Sequence, residues 1–262
     1  MTQTRRAAAP PPLIWRLTEG RALFELGAFR LLRQRMRDLP KGDGHPILFM
    51  PGFLASDRST TPMRELFEDL GYQTFGWDLG RNIKFNAKRA QEMHTRLSQV
   101  YDETQRKVSL VGWSLGGTFA RELAKAQPEK VRQVISLGSP ISGDRRYASS
   151  RRLFELFNRN EPKMDDEANL FDGLATPPPV PTTSIFTLTD GVVAWRGSVQ
   201  HPHIGHSEID NIVVPASHIG LGVNPLVMLV LADRLAQPED DWQPFDRSGW
   251  RSRVFSGTPA NP

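Results

Sequence analysis

The residues best suited to chemistry in this chain surround one serine. Ser114 stands inside a Gly-Trp-Ser-Leu-Gly run at residues 112–116, directly after the apolar stretch 108–111. Glycine on both sides of the serine removes the Cβ atoms that would clash in a sharp strand-to-helix turn. Such a turn lifts the hydroxyl above the strand end, where the N–H groups of the following helix suit a developing anion. The pattern predicts a serine nucleophile; a glycine-rich turn with an incidental serine is the alternative.

A serine hydroxyl needs a base, and the base needs a carboxylate to orient it. Asp190 follows the apolar stretch 184–188 and precedes a glycine, and His218 lies in a loop after the stretch 209–214. Taken singly, Asp190 could form an Asp-Gly turn and His218 could be an ordinary loop histidine. All three residues, however, occur in the order serine, acid, histidine, each at the end of a predicted element. We therefore predict a Ser114–His218–Asp190 triad.

Short apolar runs alternate with amphipathic stretches along the chain. Predicted strands cover 46–50, 72–77, 108–111, 131–137, 184–188 and 209–214, and predicted helices cover 17–39, 61–70, 86–101, 115–127 and 224–235. Strands that alternate with helices form right-handed βαβ units. The predicted fold class is α/β, a mostly parallel sheet with helices on both faces.

Composition shifts divide the chain into three parts: an N-terminal tail and amphipathic helix at 1–40, a main α/β domain at 41–236, and a C-terminal tail at 237–262 packed on that domain. Within the domain, an insertion at about 141–183 is too long for an ordinary connection. It predicts a small helical lid over Ser114. Candidate residues of an apolar substrate pocket are Trp113, Leu153, Phe154 and Phe157. Sheet packing for Trp113, and a fixed helical decoration for the insertion, are the alternatives.

The composition excludes several kinds of site. The chain of 262 residues has no cysteine, which rules out disulfides, thiolate nucleophiles and cysteine-based zinc sites. His201, His203 and His206 have a spacing that a metal could accept, but no acidic pattern accompanies them. We therefore expect neither a metal nor a cofactor.

The charge is mild, at +4, and the arginines are interspersed with acids, so we expect no nucleic-acid partner. The N-terminal stretch has no apolar signal-peptide core and no stretch is long enough to span a membrane, which predicts a cytoplasmic protein. The basic amphipathic N-terminal helix allows weak contact with a membrane surface.

These motifs resemble the α/β-hydrolase superfamily over roughly residues 44–236, and within it bacterial lipases and esterases with a Gly-x-Ser-x-Gly elbow. Those relatives have a strand that ends in His-Gly-X, where this chain has Pro51, Gly52 and Phe53. The resemblance implies that the backbone N–H groups of Phe53 and Leu115 form an oxyanion hole, with Pro51 as a departure in that loop.

The resemblance also implies the hydrolysis of small-molecule or lipid carboxylic esters through an acyl-enzyme, without a cofactor. An acyltransferase or a thioesterase would use the same triad. A non-catalytic ligand-binding protein of this fold is a further alternative, against which the complete triad argues.

Overall fold

Six strands form one sheet in the part of the chain that the computed structural model describes, residues 9–148 and 173–258. The strands are β1 Pro46–Met50, β2 Gln73–Gly76, β3 Val108–Trp113, β4 Val131–Leu137, β5 Thr182–Phe186 and β6 Ile209–Val213. All neighbouring pairs are parallel, in the order β2-β1-β3-β4-β5-β6. The chain changes direction across the sheet between β1 and β3. In open parallel sheets, ligands bind beyond the carboxyl ends of the strands at such a switch point.

Helices cover both faces of the sheet, which confirms the predicted fold class. They are α1 Leu13–Leu17, α2 Ala22–Leu32, α3 Thr61–Asp69, α4 Ala87–Thr104, α5 Leu115–Ala126 and α6 Pro225–Leu235. Side chains that alternate along β1 enter two cores. Ile47 and Phe49 join the core under α2, α3 and α6, whereas Leu48 and Met50 join the core under α4 and α5.

Asparagine caps begin two of the helices as the sequence suggests. The Asn86 side chain accepts from the Arg89 N–H at the start of α4, and Asn224 accepts from the first N–H groups of α6. Each side chain satisfies donors that have no acceptor within the helix. The cap of α6 fixes the end of the loop that carries His218.

The predicted helix at 17–39 is wrong in its continuity. Residues 13–38 form α1, a 3-10 turn at Thr18–Arg21, α2, and a second 3-10 turn at Arg35–Asp38. Gly20, a weak helix former, lies in the first break. The spacing in the sequence places Phe24 and Met36 on one apolar face, but Phe24 is 82% exposed, whereas Met36 is buried together with Phe29.

The strand predicted at 184–188 lies two residues earlier, as β5. Its last residue, Phe186, pairs with Val213 at the end of β6, so the sheet offers no further partner. The following residues 187–190 are therefore free to form the loop that carries Asp190.

The central part of the predicted lid, with Leu153, Phe154 and Phe157, lies outside the described residues. The ends of the insertion are anchored. The Ala194 N–H donates to the Tyr147 carbonyl at 2.8 Å, and Lys125 Nζ donates to the Gly173 carbonyl at 2.6 Å. Both ends are thereby attached to the main domain.

The C-terminal segment lies against β6. Phe245 and Phe255 are buried edge to face, with ring centroids 5.2 Å apart, and the Val213 N–H donates to the Ser256 carbonyl. Across the described residues, no helix is both long and apolar enough to cross a membrane.

Candidate active site

Ser114 lies in the tight turn between β3 and α5. Its backbone has φ 53° and ψ −120°, a conformation that residues other than glycine rarely adopt. Its N–H donates to the Leu137 carbonyl at the end of β4, at 2.8 Å. The surrounding sheet thus holds the serine in a strained conformation, as is frequent at functional sites.

The glycines around Ser114 are required by backbone packing. A Cβ atom on Gly112 would lie 2.3 Å from Gly117 Cα, and one on Gly116 would lie 2.2 Å from the Met50 carbonyl oxygen. Because these neighbours are backbone atoms, they cannot rotate away. The glycines therefore let the first turn of α5 press against the end of β1.

The loop after β1 approaches the serine directly. A Cβ atom on Gly52 would lie 3.3 Å from Ser114 Cβ, and Phe53 follows Gly52 in the chain. Leu115 is the first residue of α5, so its N–H lies at the positive end of the helix. The two predicted oxyanion donors therefore lie on the two segments that flank Ser114.

Asn82, which the sequence reasoning missed, holds this loop in place. Its buried side chain donates from Nδ2 to the Pro51 carbonyl at 2.8 Å, and its carbonyl accepts from the Leu54 N–H at 2.7 Å. Leu54 has a positive φ of 65°, which these bonds help to maintain. Pro51, the departure from the resembled motif, supplies one of the carbonyls that Asn82 binds.

Asp190 and His218 form a hydrogen-bonded pair. Asp190 Oδ2 lies 2.7 Å from His218 Nδ1, and both side chains are buried. The other oxygen, Oδ1, accepts from the N–H groups of Val192 and Val193, each at 2.7 Å. The carboxylate is therefore fixed at both oxygens. Since it can only accept, Nδ1 carries the proton and Nε2 is left with a free lone pair.

The end of β4 brings the pair and the serine turn together. Leu137 binds the Ser114 N–H, and the next residue is Gly138. A Cβ atom on Gly138 would lie 3.0 Å from His218 Nδ1 and 3.2 Å from Asp190 Oδ2. Gly138, with φ 56°, thus leaves the space that the pair occupies.

Trp113, predicted as a candidate pocket residue, contacts the histidine loop. Its indole Nε1 donates to the His218 carbonyl at 3.1 Å, and its ring lies where a Cβ atom on Gly222 would touch it. The partly buried ring also packs against the core under α2, α3 and α6. Trp113 therefore fastens the loop that carries His218 to the end of β3.

Glu19 is a second buried carboxylate beside the pair, and sequence reasoning missed it. Its Oε1 accepts from the N–H groups of Gly191 at 2.8 Å and His218 at 3.1 Å, while Oε2 accepts from the Ile219 N–H at 2.9 Å. One side chain from the N-terminal segment thus joins the acid loop to the histidine loop.

Two neighbours of Glu19 also bind these loops. Arg21 Nη2 donates to the carbonyls of Thr189 and Ala216, at 2.9 and 2.8 Å, and Glu25 Oε1 accepts from the Ser217 N–H at 2.8 Å. The available signal in the sequence was the presence of two glutamates in a segment that is rich in arginine. Residues 13–38 are therefore part of the site's framework.

The electrostatics of the site favour a protonated His218. Burial lowers its pKa, but the charge and hydrogen bond of Asp190, together with the charge of Glu19, outweigh burial and raise the pKa above the ordinary value. Arg21 and Glu25 are the other charged groups packed against these loops. As a base, His218 must be neutral at Nε2, so its raised pKa sets the acid limb of any activity profile.

Replacement of Glu19 by glutamine should shift the acid limb of the pH profile of kcat/KM to lower pH. Loss of the negative charge lowers the pKa of His218, so kcat/KM should persist to lower pH than in the wild type. The measurement is kcat/KM for a soluble ester across pH 5 to 9. Glu25→Gln, on the same segment, is the matched control and should shift the limb less. A Glu19→Gln protein that loses rate equally at every pH would show that Glu19 has a structural role alone.

A second Ser-His-Asp arrangement lies at the opposite end of the sheet. His45 Nδ1 lies 2.6 Å from Asp43 Oδ1, and His45 Nε2 lies 2.9 Å from Ser109 Oγ. His45 and Ser109 are fully buried, and Arg132 and Arg106 bind the other oxygen of Asp43. A substrate has no access to this serine. The three side chains have the order of a triad, but their hydrogen bonds link the start of β1 to the start of β3 and have a structural role.

Burial and the charge of Arg132 lower the pKa of His45 to about 4, against the opposing effect of Asp43. The folded state therefore keeps His45 neutral while the unfolded chain protonates it below about pH 6.5. From pH 6.5 down to 4, this difference should remove about 3 kcal/mol from the free energy of unfolding. Urea titrations of the wild type and His45→Gln test this. The variant should be less stable at pH 7.5 and lose less on acidification; parallel losses would contradict the assignment.

The three histidines at 201–206 do not assemble a metal site. His203 and His206 contact each other with ring centroids 5.3 Å apart in an exposed loop. Within residues 9–148 and 173–258, no group of three or more histidine, aspartate or glutamate side chains has the arrangement of a metal site.

Comparisons with known proteins bear on the fold and on the kind of protein that the chain is similar to. The family model of palmitoyl protein thioesterases matches residues 46–174, just under half of the chain, a range that includes Phe53 and Ser114. No sequence match was found among curated proteins. Many solved structures are similar in fold to this chain.

A metagenome-derived lipolytic enzyme of the LipS and LipT study has 16% identity and a TM-score of 0.55, over 76% of this chain and 94% of that chain. A monoacylglycerol lipase from Paleococcus ferrophilus has 13% identity and a TM-score of 0.58, over 76% and 96%. The Bacillus licheniformis lipase BlEst2 has 16% identity and a TM-score of 0.53, over 76% and 94%. At these identities the similarity shows the fold.

Proposed function

We propose that the chain is a member of the α/β-hydrolase superfamily and a serine hydrolase that cleaves carboxylic esters of the lipase and esterase type. The observation that supports this most strongly is the hydrogen-bonded Asp190–His218 pair at the strand end that also holds Ser114 in its strained turn. Known lipases of the same fold support the reaction class.

In the proposed mechanism, Ser114 Oγ attacks the ester carbonyl carbon while His218 Nε2 takes the hydroxyl proton. Asp190 accepts the hydrogen bond from Nδ1–H, which keeps this proton on His218 and stabilises the imidazolium that forms. The tetrahedral intermediate collapses as the C–O bond to the alcohol breaks, and His218 returns its proton to the leaving alkoxide. Water then repeats the sequence on the acyl-enzyme, releasing the acid and restoring Ser114.

The backbone N–H groups of Phe53 and Leu115 would stabilise the oxyanion in both steps. Leu115 adds the positive end of the α5 dipole, and Phe53 lies on the loop that Asn82 holds against the serine. Donors that are fixed before the reaction stabilise the transition state without reorganisation.

The substrate that we propose has an apolar acyl chain. In the insertion, Leu153, Phe154 and Phe157 lie among arginines, and its two ends are anchored beside the acid loop and α5. An apolar cover over the site would bind an acyl chain and exclude water from the oxyanion.

A preference for medium-chain esters is therefore expected. Among p-nitrophenyl esters, kcat/KM should be higher for medium-chain esters than for acetyl esters, because the longer chain buries more apolar surface. A variant with Leu153, Phe154 and Phe157 changed to glutamine should lose the preference. Identical chain-length profiles for the two proteins would show that the insertion does not form the acyl pocket.

Thioester hydrolysis is the second candidate, favoured by the palmitoyl protein thioesterase match to residues 46–174. The same triad can cleave a thioester, with a thiolate as the leaving group. Matched oxygen esters and thioesters of one acyl chain separate the two candidates. A higher kcat/KM for oxygen esters supports the primary proposal, whereas turnover of thioesters alone would replace it by the second.

A further inference from the structure

The outer face of the N-terminal segment is unusually apolar. Six large apolar side chains between residues 13 and 31 are 56–84% exposed. They are Leu13, Ile14, Leu17, Leu23, Phe24 and Leu31. We call this set the apolar stripe. Contiguous exposed apolar surface of this kind marks interaction sites in soluble proteins.

The stripe has helical spacing and a positive charge. Leu13 and Leu17 are four residues apart on α1, and Leu23, Phe24 and Leu31 lie two turns apart on α2, with the small residue Gly27 between them. Among the exposed residues of the same face are Arg16, Arg30 and Arg35. Of the three acidic residues of the segment, Glu19 and Glu25 bind loop N–H groups on its inner face, and Asp38 is exposed at its end. Between residues 13 and 35, the outer face therefore presents apolar side chains and arginines without acids.

Two further exposed apolar side chains lie on the loops that this segment binds. Ile219, directly after His218, is half exposed, and its N–H is bound to Glu19. Leu188 is also exposed and lies in the acid loop, next to the Thr189 carbonyl that Arg21 binds. One segment thus carries the catalytic loops on its inner face and the stripe on its outer face.

We propose that the apolar stripe docks the protein on an anionic lipid bilayer, with the mouth of the active site against the lipid. Apolar side chains would enter the boundary between headgroups and acyl chains while the arginines meet anionic headgroups. A second copy of the chain fits less well, since a two-fold interface would bring the arginines of one copy near those of the other. This inference extends the proposed function, because it places a lipid ester at Ser114.

The test is co-sedimentation with vesicles of phosphatidylcholine alone, or with 30% phosphatidylglycerol. We expect binding to the anionic vesicles, and a reduction of at least tenfold for Leu23→Gln with Phe24→Gln, from lost apolar burial. Arg30→Gln with Arg35→Gln should also weaken binding, by roughly fivefold for each arginine that lies near the surface. Ile204→Gln is the matched control, because Ile204 is 97% exposed in a loop outside the stripe and should leave binding unchanged.

Three results would overturn the docking proposal. They are absence of binding by the wild type, equal binding by the Leu23/Phe24 variant, and a wild-type dimer in light scattering that this variant converts to monomer. The dimer result would assign the stripe to a second copy. Vesicle binding requires no turnover, so Ser114→Ala should bind like the wild type. Binding without any esterase activity in the wild type would therefore support docking while contradicting the proposed function.

Discussion

Replacement of Ser114 by alanine is expected to lower kcat for ester hydrolysis by about 10⁴-fold or more while the fold remains intact. The variant removes the atom that attacks the carbonyl carbon, so only the oxyanion donors and binding contribute to the remaining rate. The strained φ of 53° at this position is one that alanine tolerates no better than serine, so a small loss of stability is expected in addition. Initial rates on a medium-chain ester, together with a thermal melt, measure the two effects separately.

Ser109→Ala is the matched control. Ser109 belongs to the buried Asp43–His45 arrangement, so its loss should affect stability and leave kcat unchanged. If Ser109→Ala abolished turnover and Ser114→Ala did not, the candidate site would lie at the wrong end of the sheet.

The second large effect is expected for Asp190→Asn, with a loss in kcat also of about 10⁴-fold. The asparagine oxygen can still accept from the N–H groups of Val192 and Val193. Its amide nitrogen then faces His218 Nδ1 and donates to it. This moves the imidazole proton to Nε2, the nitrogen that must accept the Ser114 proton. The expected protein is folded, binds substrate and turns over very slowly.

Asp210→Asn controls for the loss of a buried carboxylate. Asp210 binds the Phe245 N–H and Arg247 at the far edge of the sheet, so its replacement should lower stability alone. Substitution of Asp165, Asp166 or Asp172 in the insertion should have far smaller effects on kcat than Asp190→Asn. An Asp190→Asn protein near wild-type rate, with one of these other aspartates essential, would reassign the acid.

Those parts of the candidate site that depend on local patterns can be predicted from the sequence. Ser114 could be proposed as the nucleophile because glycine is required on both sides of it, where the backbone of α5 approaches those of β3 and β1. Asp190 and His218 could be proposed because parallel strands bring their carboxyl ends to one edge. Each inference needed an element type and its end, which periodicity and turn residues supply.

The parts that were missed depend on contacts between residues distant in sequence. Glu19 is bound to N–H groups 172 to 200 residues further along the chain, and no local pattern distinguishes it from a solvent-exposed glutamate. Asn82 acts through backbone carbonyls, which any sequence provides. The exposure of Phe24 was missed for a similar reason. Helical spacing shows that a segment has an apolar face, but whether that face meets the domain depends on tertiary packing.

Labelling of the purified protein with a fluorophosphonate is the most direct test of Ser114 as an activated nucleophile. Attack by an activated serine on the phosphorus expels fluoride and leaves a stable adduct, so the reaction reports the nucleophile without a choice of ester. We expect one adduct per chain by intact mass, located at Ser114 by peptide mapping and absent from Ser114→Ala. A folded wild-type protein that remains unlabelled, or carries its adduct on another serine, would contradict it.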